Sequence, residues 1–267
     1  MEKVVREEKI YWDKQFRKER NINKKIERSK SQWDNINFPE LLEIKKRVGK
    51  LKDRRVLSIG CGTSVYELFF LKNGAFVDFS DLSTEALKVQ RKITKEFKNK
   101  VNFFQSSAEK LPLPNNHYDI IFGYALLHHI EDRNSFFREI SRLLKGGGIA
   151  FFVDSYRIPM TDYVKRLPLL YKIYRKMQPV SISPVDEELV KHGEHGLREK
   201  DINIYKNFFT SFKFIKICFW NIIFRKIFRG KENSIFLKFI TIVENTFLKL
   251  IPSLKKYCNI FLLVCKK

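Results

Sequence analysis

Features that mark secreted, membrane-spanning and metal-binding proteins are scarce in this sequence. Only four cysteines occur among 267 residues, with no Cys-x-x-Cys spacing and no histidine close to them. We therefore expect reduced thiols of a cytoplasmic protein and no metal site. The first ten residues are too highly charged for a secretory signal. No run reaches the roughly 18 apolar residues that a membrane-spanning helix needs.

Acidic residues are scarce relative to basic ones at both ends of the chain. The formal net charge is +22. Residues 1–55 carry a net charge of +8 and residues 156–267 a net charge of +13, whereas residues 56–155 carry only +1. An anionic partner would therefore meet the two ends of the chain rather than its middle. The hydrophobic fraction of 44% excludes global disorder.

From residue 55 onward, short apolar runs alternate with amphipathic stretches. Strands that alternate with helices indicate parallel β-α-β units, whose crossover helices cover both faces of the sheet. We therefore predict an α/β fold with a doubly wound, mostly parallel sheet. The predicted strands are 56–59, 75–79, 101–105, 119–123, 149–153, 208–220 and 259–265, and the predicted helices are 1–30, 41–48, 65–72, 84–97, 135–144, 222–229 and 236–251.

A glycine-rich turn follows the first predicted strand. The strand ends at Gly60-Cys61-Gly62, and a helix follows. Glycine permits a close approach to the backbone, and the free N–H groups at the start of the helix would face a bound ligand. Asp81 lies 21 residues after Gly60, at the end of the second strand, and can accept hydrogen bonds from both hydroxyls of a ribose. A dinucleotide fingerprint would need a third glycine at Val65, so the pattern favours S-adenosylmethionine over NAD.

Five motifs occur in order within residues 55–154, at 56–64, 81–83, 106–113, 118–130 and 143–148. On these motifs, the segment resembles the small-molecule class I S-adenosylmethionine-dependent methyltransferases of the ubiquinone/menaquinone-methyltransferase-like group. The resemblance implies a Rossmann-like methyltransferase fold with seven strands, and S-adenosylmethionine as cofactor. Serine replaces the usual third glycine at Ser64 and the frequent aspartate at Ser107. The cofactor-binding residues that it implies are Ile59, Gly60, Cys61, Gly62, Asp81, Leu82, Ser107, Ala108 and Tyr124.

The resemblance also suggests a division of the chain into three parts. Residues 1–54 would form a helical N-terminal lead or cap, in which Trp12 and Trp33 either fold over the cofactor or pack in the core. Residues 55–156 would form the core that binds S-adenosylmethionine. Residues 157–267 would shape the acceptor site with a basic, partly helical elaboration and add the last two strands of the sheet.

Two adjacent histidines follow the fourth predicted strand. His128 and His129 are candidate catalytic residues, because a hydroxyl acceptor benefits from a base with a pKa near neutrality. Asp154, at the end of the fifth strand, would lie on the same edge of the sheet and could orient an imidazole. The alternative is that both histidines only pack against the cofactor or close its pocket.

The C-terminal part offers several interpretations. The polar stretch Glu194-His195-Gly196-Leu197, with His192 nearby, either lines the acceptor pocket or forms a surface loop. Residues 212–229 interleave basic with aromatic and aliphatic residues. This pattern fits an interfacial helix on an anionic membrane surface, a sheet strand followed by a solvated basic helix, or a nucleic-acid contact. It also fits the compositional bias of an A/T-rich genome.

The sequence thus predicts methyl transfer to a small-molecule or a lipid- or glycan-linked acceptor. We expect a cytoplasmic protein that can touch the inner membrane surface. An RNA methyltransferase is a weaker alternative, because the sequence lacks an Asn-Pro-Pro-Tyr-type motif and the context of a catalytic cysteine. A scaffold that keeps the fold without catalysis is the other alternative.

Overall fold

Seven α-helices and seven strands occur in the part of the chain that the computed structural model describes, namely residues 2–17, 38–155, 197, 199–217, 235–258 and 260–267. The helices are α1 (Glu2–Arg17), α2 (Pro39–Val48), α3 (Glu67–Lys72), α4 (Thr84–Ile93), α5 (Arg133–Leu143), α6 (Glu199–Asn203) and α7 (Ile235–Leu250). The strands are β1 (Arg55–Ile59), β2 (Phe76–Asp81), β3 (Val101–Gln105), β4 (Tyr118–Tyr124), β5 (Leu144–Ser155), β6 (Ser211–Ile217) and β7 (Ile260–Lys266).

All seven strands join one sheet in the order β3-β2-β1-β4-β5-β7-β6. Strands β1 to β5 pair in parallel, and β7 runs antiparallel to both of its neighbours, β5 and β6. The strand order reverses between β1 and β4, which is the switch point where doubly wound sheets bind ligands at the carboxyl ends of their strands. The predicted doubly wound, mostly parallel, seven-stranded sheet is confirmed.

Local signals explain where the flanking helices begin and end. Ser83 has an extended backbone, and its hydroxyl accepts a hydrogen bond from the N–H of Ala86, so α4 begins with a serine N-cap. Asp132 caps α5 in the same way through the N–H of Ser135. Gly49 ends α2 with a φ of 61°, a conformation that glycine adopts without steric cost.

A separate apolar core lies on each face of the sheet, because neighbouring residues of a strand point to opposite faces. Phe151 and Phe152 of β5 are both almost fully buried, yet they belong to different cores. Helices α2, α3 and α4 contribute buried residues to the first core, whereas α5 and α6 contribute to the second. The two cores hold the carboxyl ends of the parallel strands in a fixed arrangement.

The structure corrects several boundaries. The predicted helix 135–144 and strand 149–153 leave the glycines at 146–148 between them, but β5 already begins at Leu144 and contains these glycines. Its pairing with β4 shifts register between Tyr118 and Ile120, and a Cβ on Gly148 would lie 2.9 Å from the carbonyl oxygen of Lys145. Glycine therefore permits an irregular strand start rather than a turn.

Part of the proposed interfacial helix at 212–229 is wrong, because residues 212–217 belong to β6 and pair with β7. Several other sequence predictions lie outside the described residues: the remainder of the lead helix with Trp33, the stretch with His192, Glu194 and His195, and the helix at 222–229. Among the described helices, none is both long and apolar enough to cross a bilayer. The three-part division at residues 54 and 156 stays a prediction.

Candidate active site

The predicted site residues converge on one edge of the sheet. Gly60, Asp81 and Asp154 lie at or just beyond the carboxyl ends of β1, β2 and β5, which all run in the same direction. Ser107 follows β3, and Tyr124 ends β4. The sheet therefore brings together residues from five strands at the edge where such folds bind ligands.

The glycine turn after β1 depends on backbone conformation. Gly60 and Gly62 have φ angles of 58° and 48°, in the left-handed region that other residues rarely adopt. A Cβ on Gly60 would lie 2.6 Å from a methyl group of Leu126, and one on Gly62 would lie 3.5 Å from the ring of Phe16. The close neighbours that these two glycines admit are therefore protein side chains, whereas the sequence suggested only a bound ligand.

Asp81 is bonded to the glycine turn. One of its carboxylate oxygens accepts a hydrogen bond of 2.8 Å from the N–H of Gly62, and the other accepts one of 2.8 Å from the N–H of Ser83. Burial raises the pKa of Asp81 to about 6, although these two N–H groups oppose the shift. The thiol of Cys61 also donates to this carboxylate. A carboxylate offers about four acceptor positions, so acceptor capacity remains for a ligand.

The buried side-chain amide of Gln90, on α4, forms hydrogen bonds to the same turn. The Nε2 group of Gln90 donates to the carbonyl oxygens of Cys61, Gly62 and Ser64, at 3.3, 3.2 and 2.8 Å. Gln90 is fully buried. Because one side chain bonds to three carbonyl groups of the turn, the position of Gln90 and the shape of the turn depend on each other.

The buried carboxylate of Glu67 connects β1 to the same turn. Glu67 accepts hydrogen bonds from the hydroxyls of Ser58 and Ser64, at 2.7 and 2.9 Å. Ser64, which stands where the resembling family has a glycine, therefore contributes a side-chain bond that a glycine could not supply. The serine that departs from the family pattern therefore has a hydrogen-bond partner, Glu67.

The remaining predicted cofactor residues differ in what they expose. The side chains of Ile59 and Cys61 are buried, and the thiol of Cys61 hydrogen-bonds to Asp81. Burial raises the pKa of the Cys61 thiol well above its usual range. Leu82, Ser107 and Ala108 are partly exposed on the same edge. The ring of Tyr124 stacks on that of Tyr66, with 4.7 Å between the centroids.

His128 and Asp154 form a hydrogen-bonded pair. His128 lies in the short 3-10 helix Leu127–His129 that follows β4, and Asp154 lies near the end of β5. The Nδ1 atom of His128 lies 2.7 Å from Oδ1 of Asp154, and the backbone N–H of His128 donates to the other carboxylate oxygen at 3.3 Å. The carboxylate is buried, with 1% of its side chain exposed, whereas 25% of the imidazole is exposed. Burial alone would raise the pKa of Asp154, but the neighbouring His128 lowers it below its ordinary value.

His129 contacts a different partner from His128. Its ring meets Trp12 of α1 edge to face at 5.0 Å between centroids, and the two histidine rings lie 3.8 Å apart. Asp154 thus bonds directly to His128, and His129 connects the same edge to the N-terminal helix. Just before this pair, Ala125 has a φ of 51°, which is uncommon for a residue with a side chain.

Helix α1 packs over the glycine turn and the start of α4. The carboxylate of Asp13 accepts hydrogen bonds from the hydroxyl of Ser83 at 2.5 Å and from the N–H of Glu85 at 3.2 Å. Phe16 lies against Gly62, and Trp12 against His129. The lead helix therefore covers the edge at which the candidate cofactor and catalytic residues meet.

Sequence reasoning missed Gln90, Glu67 and Asp13. Gln90 occupies the apolar stripe of α4 between Ala86 and Ile93, where a buried polar residue is a signal in itself. Glu67 follows Ser64 by three residues, the spacing of a capping box. The local pattern reveals only the i,i+4 ion pair of Asp13 with Lys9, because Ser83 and Glu85 lie about 70 residues later.

Comparisons with known proteins agree with this geometry. A protein-family model described as "Methyltransferase domain" matches residues 57–152. The chain is 35% identical over 136 residues to the ubiquinone biosynthesis O-methyltransferase of Nitrosospira multiformis, a match that covers 48% of this chain and 57% of the relative. It is 30% identical over 167 residues to the corresponding enzyme of Vibrio cholerae, covering 56% of this chain and 68% of that relative.

The fold has counterparts among solved structures. Phosphoethanolamine N-methyltransferase 2 of Haemonchus contortus, in complex with S-adenosylmethionine, superposes with a TM-score of 0.56 at 21% identity, over 85% of this chain and 51% of that one. The chain spans about three-fifths of the length of the first curated relatives, between 57% and 60%. The fold, the sequence matches and the glycine-aspartate edge agree, and the chain belongs to the class I S-adenosylmethionine-dependent methyltransferases, in the group similar to the ubiquinone biosynthesis O-methyltransferases.

Proposed function

We propose that this protein transfers a methyl group from S-adenosylmethionine to a hydroxyl of a small-molecule acceptor, with His128 as the general base. The observation that carries the proposal is the 2.7 Å contact between a partly exposed imidazole and a buried carboxylate at the carboxyl edge of the sheet. A base of this kind is useful to a hydroxyl, which is a weak nucleophile until it loses its proton.

The pair determines which nitrogen of His128 can accept a proton. Because the pKa of Asp154 is held below its ordinary value, its carboxylate is ionised at neutral pH and can only accept hydrogen bonds. The hydrogen of the neutral imidazole therefore lies on Nδ1, and Nε2 carries the lone pair. Nε2 would take the proton of the acceptor hydroxyl, and the acceptor oxygen would receive the methyl group as the bond from the methyl carbon to the cofactor's sulfur breaks, with the electron pair left on sulfur. Asp154 would stabilise the resulting imidazolium. Asp154 acts through His128 as a positioning residue.

The residues at the edge fit the proposed cofactor. Bound S-adenosylmethionine supplies an electrophilic methyl group. Asp81 would accept hydrogen bonds from the ribose hydroxyls with the acceptor positions that Gly62 and Ser83 leave open. The turn at Gly60 to Gly62 would hold the amino-acid end through its backbone, and Ser107 with Ala108 would line the adenine. These assignments follow the position of each residue at the carboxyl edge.

The names of the relatives bear on the class of the methyl acceptor. The curated relatives are named ubiquinone biosynthesis O-methyltransferases, and on that basis we propose an oxygen atom of a small-molecule or a lipid- or glycan-linked acceptor. Reaction on the cytoplasmic side would suit such an acceptor. An RNA methyltransferase and a non-catalytic scaffold remain the competing functions, and the same experiment separates them.

The test is transfer of radiolabelled methyl groups from S-adenosylmethionine into a total lipid and metabolite extract and into total RNA. We compare the wild type with Asp81→Ala, His128→Gln and His129→Gln. We expect label in the organic phase, and loss of transfer in Asp81→Ala together with weaker cofactor binding. His128→Gln should bind the cofactor normally and lose about 10²- to 10⁴-fold in kcat, the usual contribution of a general base.

His129→Gln is the matched control, because it removes the adjacent imidazole, whose ring packs edge to face on Trp12. A similar loss in both histidine variants, or an unchanged pH profile in His128→Gln, would contradict the assigned base. Label in the RNA fraction would favour the RNA enzyme. A folded wild type that does not bind the cofactor in calorimetry would favour the scaffold.

A further inference from the structure

Helix α7 presents its apolar side to the surroundings. Ile235, Phe239, Ile242 and Leu250 are exposed by 84%, 59%, 65% and 74%. Successive members of this set are four, three and eight residues apart, which places them on one side of a helix with 3.6 residues per turn. An exposed apolar stripe of this length is unusual on a protein surface that meets only water.

The opposite side of α7 shows that this orientation is a property of the helix rather than a chance exposure. Thr241, Glu244 and Leu248 are exposed by only 3%, 1% and 6%. Two of these three buried residues are polar, so the helix buries polar groups while it exposes isoleucine, phenylalanine and leucine.

The charges around the stripe have one sign. Lys249 lies within the exposed side of α7, and Lys255 and Lys256 are exposed in the short 3-10 helix that follows, Pro252–Tyr257. Glu244 is the only acidic residue in the sequence from 235 to 258, and it is buried. The surface thus combines exposed apolar side chains with exposed cations.

We propose that the exposed side of α7 docks on the surface of a lipid bilayer that contains anionic headgroups. The helix would lie in the plane of the interface, with Ile235, Phe239, Ile242 and Leu250 among the acyl chains and the lysines at the headgroups. Charge complementarity selects this occupant. The same surface on a second copy of the chain would offer these lysines no counter-charge, because Glu244 is the only acidic residue from 235 to 258 and it is buried.

The experiment measures binding of the full-length chain to sedimented vesicles. One set contains phosphatidylcholine with about one-third phosphatidylglycerol, and the other contains phosphatidylcholine alone. The variants are Phe239→Glu and Ile242→Glu. The matched control is Ile204→Glu, which replaces a side chain that is 67% exposed outside α7. All four proteins are checked for folding by thermal melting and for mass in solution by light scattering.

We expect the wild type and Ile204→Glu to bind the anionic vesicles, more strongly at low salt. Phe239→Glu and Ile242→Glu should each weaken binding by at least about tenfold, the effect of withholding one large apolar side chain from a nonpolar phase. Equal binding of all four proteins, or none by the wild type, would overturn the proposal. A dimer that either α7 variant dissociates, without vesicle binding, would identify a second copy as the occupant. Vesicle binding needs neither cofactor nor acceptor, so the outcome is independent of the proposed reaction.

Discussion

The carboxylate of Asp13 accepts a hydrogen bond of 2.5 Å from the hydroxyl of Ser83, a residue that lies 70 positions later in the chain. Ser83 also caps α4 and donates its backbone N–H to Asp81. The N-terminal helix is therefore bonded to the residue that links the candidate ribose-binding acid to the helix after it. Attachment of α1 and the shape of the cofactor site depend on the same few hydrogen bonds.

Substitution of Asp13 by alanine should destabilise the protein and weaken cofactor binding. Loss of a bonded carboxylate costs about 1–3 kcal/mol when its donors stay buried, and Ser83 is fully buried. The expected results are a lower melting temperature and a higher Kd for S-adenosylmethionine in calorimetry. Glu7→Gln is the matched control, since Glu7 is an exposed acid on the same helix. Unchanged cofactor affinity in Asp13→Ala would show that α1 does not support the site.

Cofactor affinity should fall as the pH is lowered through about 6. Burial raises the pKa of Asp81 to about 6 from 3.8. The acid therefore favours folding of the free protein fully below pH 3.8, and this contribution is lost as the pH rises through 6. Ligand binding has the opposite dependence, because ribose hydroxyls donate best to the ionised carboxylate. Titrations at several pH values should give a slope in the wild type that Asp81→Asn lacks. A parallel slope in both proteins would contradict this assignment.

Replacement of Gln90 should affect the glycine turn without touching the proposed catalytic pair, His128 and Asp154. In Gln90→Leu, the carbonyl oxygens of Cys61, Gly62 and Ser64 lose their shared donor inside the protein. We expect a loss of about 1–3 kcal/mol in stability and weaker cofactor binding. Lys88→Gln, at an exposed position of the same helix, is the control. If Gln90→Leu melts earlier but binds the cofactor as tightly as the wild type, the amide supports folding only.

The sequence predicted most of the sheet because its strands are short apolar runs between clear breaks. The bounds of β3 agree with the expectation, and those of β1 differ by one residue. The same regularity predicted that His128 and Asp154 would meet, because consecutive parallel strands end at one edge. That contact follows from topology alone and needs no knowledge of side-chain packing.

The contacts that escaped prediction depend on packing between distant parts of the chain. Asp13 reaches Ser83 only because α1 lies across the start of α4, and nothing near Asp13 in the sequence indicates this position. The orientation of α7 is similar. Its helical pattern was predicted, but which side faces outward depends on what the remainder of the fold offers to Thr241 and Glu244.

A further prediction concerns Glu8 on α1, which faces two acids of the site edge. Burial, together with the charges of Glu131 and Glu109, raises the pKa of Glu8 to about 7. Because this pKa exceeds the ordinary 4.5, the contribution of Glu8 to stability is complete below pH 4.5 and is lost as the pH rises through 7. Packing of α1 on the site should therefore weaken in mildly alkaline solution.

Glu8→Gln removes that repulsion, so its melting temperature should exceed that of the wild type at about pH 8 and approach it at about pH 5. Glu7→Gln again serves as the control, because Glu7 is exposed on the same helix. A gain that is equal at both pH values would exclude titration of Glu8 as the cause. Since Trp12 of the same helix contacts His129, the indole fluorescence of the two proteins should diverge over the same pH range. Fluorescence that diverges in this way would mean that the charge of Glu8 controls how closely α1 covers the edge with the candidate active-site residues.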